Sequence, residues 1–321
     1  MCIRDRAYLN LSWKRQEATP LVNTDWEVAY DQFVLPVSKN ARGYRPDKVG
    51  NTTFTVDKAT GALNSLCLDG EELLGSPMTL SLFRPATDND NRDQMGAKLW
   101  RAAGLDALTQ KVVSLKESKT STTAQVDILN AKGEKVGDAT FAYTLNRDGS
   151  VKVRTTFQPD TTLVKSMARL GLTFEVEDAY DHITYLGRGE HETYIDRNQS
   201  GKIGIYETTP ERMFHYYVVP QSTGNRTDVR WMKLTDDAGK GCWVESDSPF
   251  QFSTIAFPDV MVEKARHINE LERNGKITVH LDAKQAGVGT ATCGPGVQSQ
   301  YLVPLTKQTF DFIIYPVKNR E

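Results

Sequence analysis

Apolar and polar residues alternate at a period of two along most of this chain, the rhythm of strands buried on one face. The clearest stretches are Val126-Asp-Ile128, Thr140 to Leu145, Val151 to Phe157, Ile277 to Leu281 and Phe310 to Tyr315. The gaps between them are short and carry turn chemistry, as at Arg147-Asp-Gly149 and Arg273-Asn-Gly275. Phe54 to Gly61, Leu63 to Leu68 and Asp69-Gly70 read as strand, turn, strand, turn. Helical signal is sparse: one helix is expected within 93–103. A second is expected over Met261 to Glu272, with Met261, Ala265, Ile268 and Glu272 on one face. No internal repeat or low-complexity tract interrupts the pattern. The expected fold is all-β, a large antiparallel sandwich.

At 321 residues the chain has room for two domains, or for one large β domain with an appendage. Residues 51–321 can bury a substantial core unaided. Before them, 37–50 is polar, carries Gly and Pro, and reads as a linker. Tyr8 to Trp13 and Trp26 to Leu35 read as two strands, too few to bury a core, so 7–36 is expected to be the tail of a further domain. Residues 1–6, Met-Cys-Ile-Arg-Asp-Arg, are too short and charged for a signal peptide. They read as translated adaptor sequence, and the natural chain is expected to begin further upstream.

Several function classes are disfavoured at once. Lys plus Arg total 39 against 41 acidic residues, a near balance that argues against a nucleic-acid polyanion as the main partner. Uninterrupted apolar stretches reach only four or five residues, so no membrane-spanning segment is expected. Cys2, Cys67, Cys242 and Cys293 are scattered, without zinc-knuckle or disulfide-framework spacing. Gly187-Arg-Gly189 and Gly287-Val-Gly289 both lack the third glycine of a dinucleotide fingerprint, and the five histidines have no metal-ligand spacing.

Three polar clusters are candidates for chemistry. In Tyr185 to Arg197, Glu190 and Glu192 lie two apart and would share one side of an extended segment, with His191 opposite. Paired carboxylates of that kind do acid/base work when their environments differ, whereas the bland alternative pairs them with Arg188 and Arg197. In Arg84 to Asp93, Asp88, Asn89 and their neighbours are suited to sugar hydroxyls or calcium, or simply to satisfying backbone groups at a strand exit. Gly287 to Gly296 is a glycine-rich loop carrying Cys293 and Gly294, with no base nearby to activate the thiol.

Taken in order, four segments resemble the C-terminal small-chain domain of β-galactosidases of glycoside hydrolase family two. Arg84-Pro-Ala-Thr-Asp-Asn-Asp90 is similar to its R-A-P-T-D-N-D motif, with Pro and Ala exchanged. Tyr185 to Arg197 is similar to Y-L-G-x-G-P-x-E-x-Y-x-D-R, with Glu190 in place of proline. Val219 to Trp231 resembles P-Q-E-N-G-N-R-x-D-V-R-W, and Gln285-Ala-Gly-Val-Gly289 followed by Pro295 resembles the last motif. Tyr8 to Leu35 resembles the end of the preceding immunoglobulin-like domain.

The resemblance implies a galactose mutarotase-like antiparallel super-sandwich belonging to a retaining enzyme that cleaves terminal β-galactosides, in lactose or related glycans. It places both catalytic glutamates, and the magnesium and sodium ligands, on a (β/α)₈ barrel outside this chain. The partner is therefore that barrel, in cis or in a separate large chain, in an oligomeric enzyme. No cofactor is expected on this chain, and no hydrolysis from it alone. The residues expected near substrate are Asp88, Asn89, His191, Glu192, Cys293 and Gly294. The family's stacking Trp on the last loop aligns with Cys293, so the aglycone contact is expected to be weaker. A free-standing carbohydrate-binding module is the main alternative. An aldose-1-epimerase, with His191 and Glu192 or His215 as its acid and base, is a further one. Family members are cytoplasmic or exported, which leaves the compartment open.

Overall fold

The structure is a computed structural model, and it describes residues 2–3, 6–35, 46 and 50–318. The chain divides into two compact units, Met1–Asp47 and Lys48–Glu321. The linker expected at 37–50 lies mostly outside the described residues.

The first unit is an antiparallel sheet of β1 (Cys2–Ile3), β2 (Arg6–Lys14) and β3 (Glu27–Leu35), in that order. Both strands expected from alternation are present, and residues 2–3, set aside as foreign sequence, add a short third. Pairing of Leu9 with Phe33 and Trp13 with Ala29 puts Leu9, Leu11, Trp13 and Phe33 on one face. All four are exposed.

The second unit begins with a small sheet of β4 (Thr52–Val56), β5 (Leu63–Leu68) and β6 (Glu71–Glu72). Asp69 and Gly70, both at positive φ, make the tight turn between β5 and β6. Next come β7 (Thr79–Ser81), α1 (Asp88–Arg92), α2 (Ala97–Ala102), β8 (Thr109–Glu117), β9 (Ser121–Leu129), β10 (Lys135–Leu145) and β11 (Val151–Pro159). Then follow β12 (Arg169–Glu177), β13 (His182–Gly189), β14 (Lys202–Thr208), α3 (Pro210–Met213), β15 (Arg226–Thr235) and β16 (Gly241–Ile255). The order closes with α4 (Asp259–Lys264), β17 (Lys276–Gln285) and β18 (Gln308–Val317).

One 12-stranded antiparallel sheet runs β14-β13-β15-β16-β18-β11-β10-β9-β8, with β17, β12 and β7 branching from β16. The branch arises because the first part of β16, Gly241 to Glu245, pairs with β18, whereas Gln251 to Ile255 pairs with β17. The sheet thereby folds over its own core as an all-β antiparallel super-sandwich. Its inward positions follow the sequence alternation: Ala124, Val126 and Ile128 on β9, Phe141 and Tyr143 on β10, and Val151, Val153 and Phe157 on β11 are all buried. Each of the Val, Ile and Phe side chains among them contributes roughly 1.5–3 kcal/mol on burial.

Both expected helices are broken. Within 93–103 only Ala97–Ala102 is helical, because Asp93 is extended and its carboxylate is drawn off to the backbone N–H groups of Met95 and Val297. Met261 to Glu272 gives α4 and one 3₁₀ turn, Ile268–Glu270. Ala265 is extended, and Glu270 accepts from the Arg266 N–H and bonds the His267 ring, which caps the turn locally.

Cys67, Cys242 and Cys293 are free thiols. Burial pushes the Cys242 thiol up to about 12, so it acts as a small hydrophobe. Among the described residues no helix is long and apolar enough to cross a membrane.

Candidate functional site

Antiparallel register gathers the last residues of β7, β13 and β17 with the first residues of β12, β14 and β15 at one end of the sheet. The loops leaving these ends are the four polar segments singled out from the sequence, and hydrogen bonds join them.

Arg84, fully buried, is the centre. Its Nε and Nη2 donate to the two carboxylate oxygens of Asp90 at 3.0 and 2.7 Å. Its remaining donors reach Gln285 Oε1 at 3.1 Å and the Ala286 and Gly287 carbonyls at 2.7 and 2.9 Å. The guanidinium also lies 5.5 Å from the Trp100 ring and 5.6 Å from the Tyr194 ring. Burial alone would favour losing its proton, but Asp90 holds it charged. Asp90 and Thr87 form a reciprocal capping box that starts α1.

Asn89, next on α1, clamps the glycine-rich loop. Its Nδ2 donates to Gly289 O at 2.8 Å, and its Oδ1 accepts from the Thr292 N–H at 3.2 Å and from the Thr292 hydroxyl. Asp196 holds the same loop by accepting from the N–H groups of Val288 and Gly289 at 3.1 and 2.7 Å. Cys293 and Gly294 lie exposed at the tip of the turn that Asn89 fixes, where the Cys293 N–H donates to Thr290 O. Asp88 is exposed beside them, and its N–H donates to Gln221 Oε1 at 3.3 Å. Asp88, Asn89, Cys293 and Gly294 therefore belong to one patch.

Glu192 and His191 are placed differently. β13 ends at Gly189, so the extended period assumed for Glu190 and Glu192 does not run through them. Glu190 is exposed, whereas Glu192 turns inward and accepts from Tyr217 Oη (2.7 Å), Thr223 Oγ1 (2.9 Å), Gly224 N–H (3.0 Å) and Arg197 Nη2 (2.5 Å). Arg197 pairs with it as the bland alternative supposed, but Arg188 instead pairs with Asp228. His191 is exposed and bonded to Ser200, away from any carboxylate partner. Among the described residues, no three His, Cys, Asp or Glu side chains form a group that could hold a metal ion.

Burial raises the Glu192 carboxyl, but its hydrogen bonds from Tyr217, Arg197 and Gly224 outweigh that and leave it below its ordinary 4.5. A depressed carboxyl stabilises fully above the unfolded value, and that contribution is lost as pH falls through the folded one. Glu192→Gln is therefore expected to lower the urea midpoint at pH 7 by an amount that shrinks below about pH 4.5. Urea titrations of both proteins at pH 7 and ~3.5 check this.

Other residues of this end are not among those expected from the sequence. Glu263 of α4 accepts from the Ala86 N–H at 2.8 Å and from Arg101 Nε at 3.0 Å, and Arg101 in turn donates to Asn91. Tyr217, its hydroxyl pushed up to about 12 by burial and by Glu192, remains a donor throughout the neutral range. The signal for Tyr217 was present, since an aromatic run precedes the third motif. Nothing local marked Glu263.

The profile of the family described as "Beta galactosidase small chain" matches residues 48–314. The chain belongs to that family. Relatives at the sequence level include a β-galactosidase of Priestia megaterium, 30% identical over 307 residues covering 89% of this chain and 29% of the relative. Another is a β-galactosidase of Kluyveromyces lactis, 29% identical over 273 residues covering 81% and 26%. The chain thus spans less than a third of the length of these relatives. Among solved structures, it is similar to a galactose 1-epimerase from Lactobacillus acidophilus, at 9% identity and a TM-score of 0.44, over 98% of this chain and all of that one.

Proposed function

We propose that this small-chain domain forms the aglycone-side wall of the active site of a retaining β-galactosidase whose catalytic barrel lies outside residues 1–321. The observation that carries this reading is the clamp of Asn89 on the Gly289–Thr292 turn, which presents Asp88, Cys293 and Gly294 together on a rigid edge. Retaining hydrolysis needs two carboxyl groups about 5–5.5 Å apart, one as nucleophile and one as acid/base. The inward carboxylates here are committed otherwise: Asp90 to Arg84, Asp93 and Asp196 to loop N–H groups, and Glu192 to four donors. That commitment supports a scaffold role, with acid/base work, magnesium and sodium on the barrel.

The exposed Leu9, Leu11, Trp13 and Phe33 face fits a sheet whose opposing layer belongs to the rest of an immunoglobulin-like domain, with 7–36 as its end. Residues 51–321 are then the super-sandwich, joined through 37–50. Cys293 supplies no flat face for stacking on a pyranose, so the aglycone sugar is held less firmly than by an aromatic residue. The substrate class is β-galactosides, lactose among them.

The test is hydrolysis of a nitrophenyl β-D-galactoside. The purified chain alone is expected to show none, and activity is expected on mixing with a barrel-bearing polypeptide from the same source. In the mixed enzyme, Cys293→Trp is expected to raise transfer of galactose to glucose relative to water. Hydrolysis by the chain alone, or no activity after a demonstrated complex forms, would remove this reading.

A further inference from the structure

Alternation on the branch strands leads to an unusual surface. On β7, β12 and β17 one set of side chains, Leu80, Leu170, Leu172, Phe174, Val279 and Leu281, enters the core. The opposite phase is polar from strand to strand. Register aligns Thr79 with Thr173 and Thr173 with His280, and aligns Ser81 with Gly171 and Gly171 with Asp282. β16 continues these rows with Ser253 opposite His280 and Gln251 opposite Asp282. In an antiparallel sheet one face commonly packs on the core while the other meets solvent. This one carries hydroxyls, an imidazole and carboxylates.

Much of the face is sealed. His280, Asp282 and Arg169 are each no more than 2% exposed. His280 Nε2 bonds Asp259 of α4, and Arg169 Nη1 lies 3.8 Å from Asp282. Yet Arg169 Nε and Nη1, His280 Nδ1 and Asp282 Oδ1 have no hydrogen-bond partner among the protein groups. Buried polar atoms left in that condition call for a polar occupant beside them. Asp282 Oδ1 sits over Gly171, where a Cβ would fall only 2.2 Å from it.

The other part of the face opens into a cleft of about 320 Å³, at the lower end of the range for small-ligand sites. Its walls include Thr79, Ser81, Asp106, Glu175, Asp259 and Thr278. His280 and Arg169 overcome the effect of burial and hold the Asp259 carboxyl below its ordinary value, so it accepts hydrogen bonds at neutral pH. Thr278 and Thr173 spend their protons on the Phe257 and Val279 carbonyls, which leaves their oxygens as acceptors toward the cleft. No lysine or arginine lines it. The lining is thus rich in acceptors, with Lys276 Nζ 3.7 Å from Glu175 and apolar Phe83, Leu105 and Leu108 alongside.

We propose that this cleft binds a neutral, hydroxyl-rich ligand, a glycosyl unit, at a site made of other residues than the loop end. Sugar hydroxyls supply the donors that the carboxylates and threonine oxygens want, and the apolar wall suits the C–H face of a pyranose. This site stands whether or not the loop end faces a catalytic barrel, because none of Asp88, Asn89, His191, Glu192, Cys293 and Gly294 lines the cleft.

The experiment is titration of the whole chain with methyl β-D-galactopyranoside and with lactose, followed by ligand-observed NMR and calorimetry. Saturable millimolar binding is expected, weakened roughly fivefold for each hydrogen bond removed by Thr79→Val and Ser81→Ala, and weakened also by the surface change Asp106→Asn, which takes the carboxylate charge and one of its two acceptor oxygens. Asn89→Ala and Cys293→Ser, at the loop end, are expected to leave it unchanged. Thermal unfolding confirms that each variant is folded, and Asp106→Asn, on an exposed residue, keeps the test open if a strand variant is not. The proposal is overturned by absence of binding up to ~100 mM sugar. It is equally overturned by binding that follows the loop-end variants instead, or by a cleft that takes only an alkylammonium probe.

Discussion

Replacing Arg84 with alanine is expected to destabilise the chain by about 3–5 kcal/mol, the range seen when one partner of a buried ion pair is removed. The guanidinium is fully buried, and its partners are buried with it: both oxygens of Asp90, the Gln285 side-chain oxygen and the carbonyls of Ala286 and Gly287. Alanine leaves the Asp90 carboxylate with only the Thr87 N–H as donor, and strips the guanidinium from three neutral acceptors in a low-dielectric interior. Arg84→Lys is expected to recover little, since a single ammonium cannot span a fork that reaches two strands' exits at once. Arg84→Met combined with Asp90→Leu, which removes both charges, is expected to be less harmful than Arg84→Ala alone. Urea unfolding of the three variants orders them. A loss below ~1 kcal/mol for Arg84→Ala would show that the pair contributes no more than a surface one.

Trp100→Ala is expected to cost a further ~3–5 kcal/mol, the usual range for emptying an aromatic core site. Its ring is 1% exposed and meets Phe83 edge-on at 6.2 Å. Its Nε1 donates to Ser166 Oγ at 3.1 Å, and that hydroxyl passes its own proton to the Met95 carbonyl. Because the Arg84 guanidinium lies against the same ring, the two losses are not additive. A double-mutant cycle should give a coupling of ~0.5–3 kcal/mol. Additivity within ~0.3 kcal/mol would remove the cation–aromatic contact from the account.

Arg84 also shows what a sequence can disclose. Its motif is visible in the sequence, where Asp88 to Asp93 suit sugar hydroxyls or calcium, or the satisfaction of backbone groups. The structure gives Asp90, Asn89 and Asp93 to backbone and side-chain clamps. The strands were legible because alternation is a local property, and because turns such as Asp148-Gly149 announce themselves. Helix limits were not, since Asp93 leaves its helix for a bond to Val297, a residue distant in sequence. The same limit hid Glu263 and Asp259. A carboxylate that bonds a backbone N–H far along the chain leaves no periodic trace. The polar phase of β17, Thr278, His280 and Asp282, was a trace that could have been read. A strand with hydroxyl, imidazole and carboxylate along the phase opposite its core-facing one asks what it faces.

The position of β18 bears on how such a chain is made. It is the last strand in chain order, and it lies between β16 and β11, pairing Val317 with Gly241 and Ile314 with Val151. The meander β8 to β11 can assemble from neighbours in sequence, and so can β13 to β15, but among the described residues no other strand joins these halves into one sheet. During translation both β11 and β16 therefore wait as open edges until the residues of β18 have left the ribosome. Joining of the two halves of the sheet therefore waits for β18, and this topology leaves an interval in which holding chaperones can act.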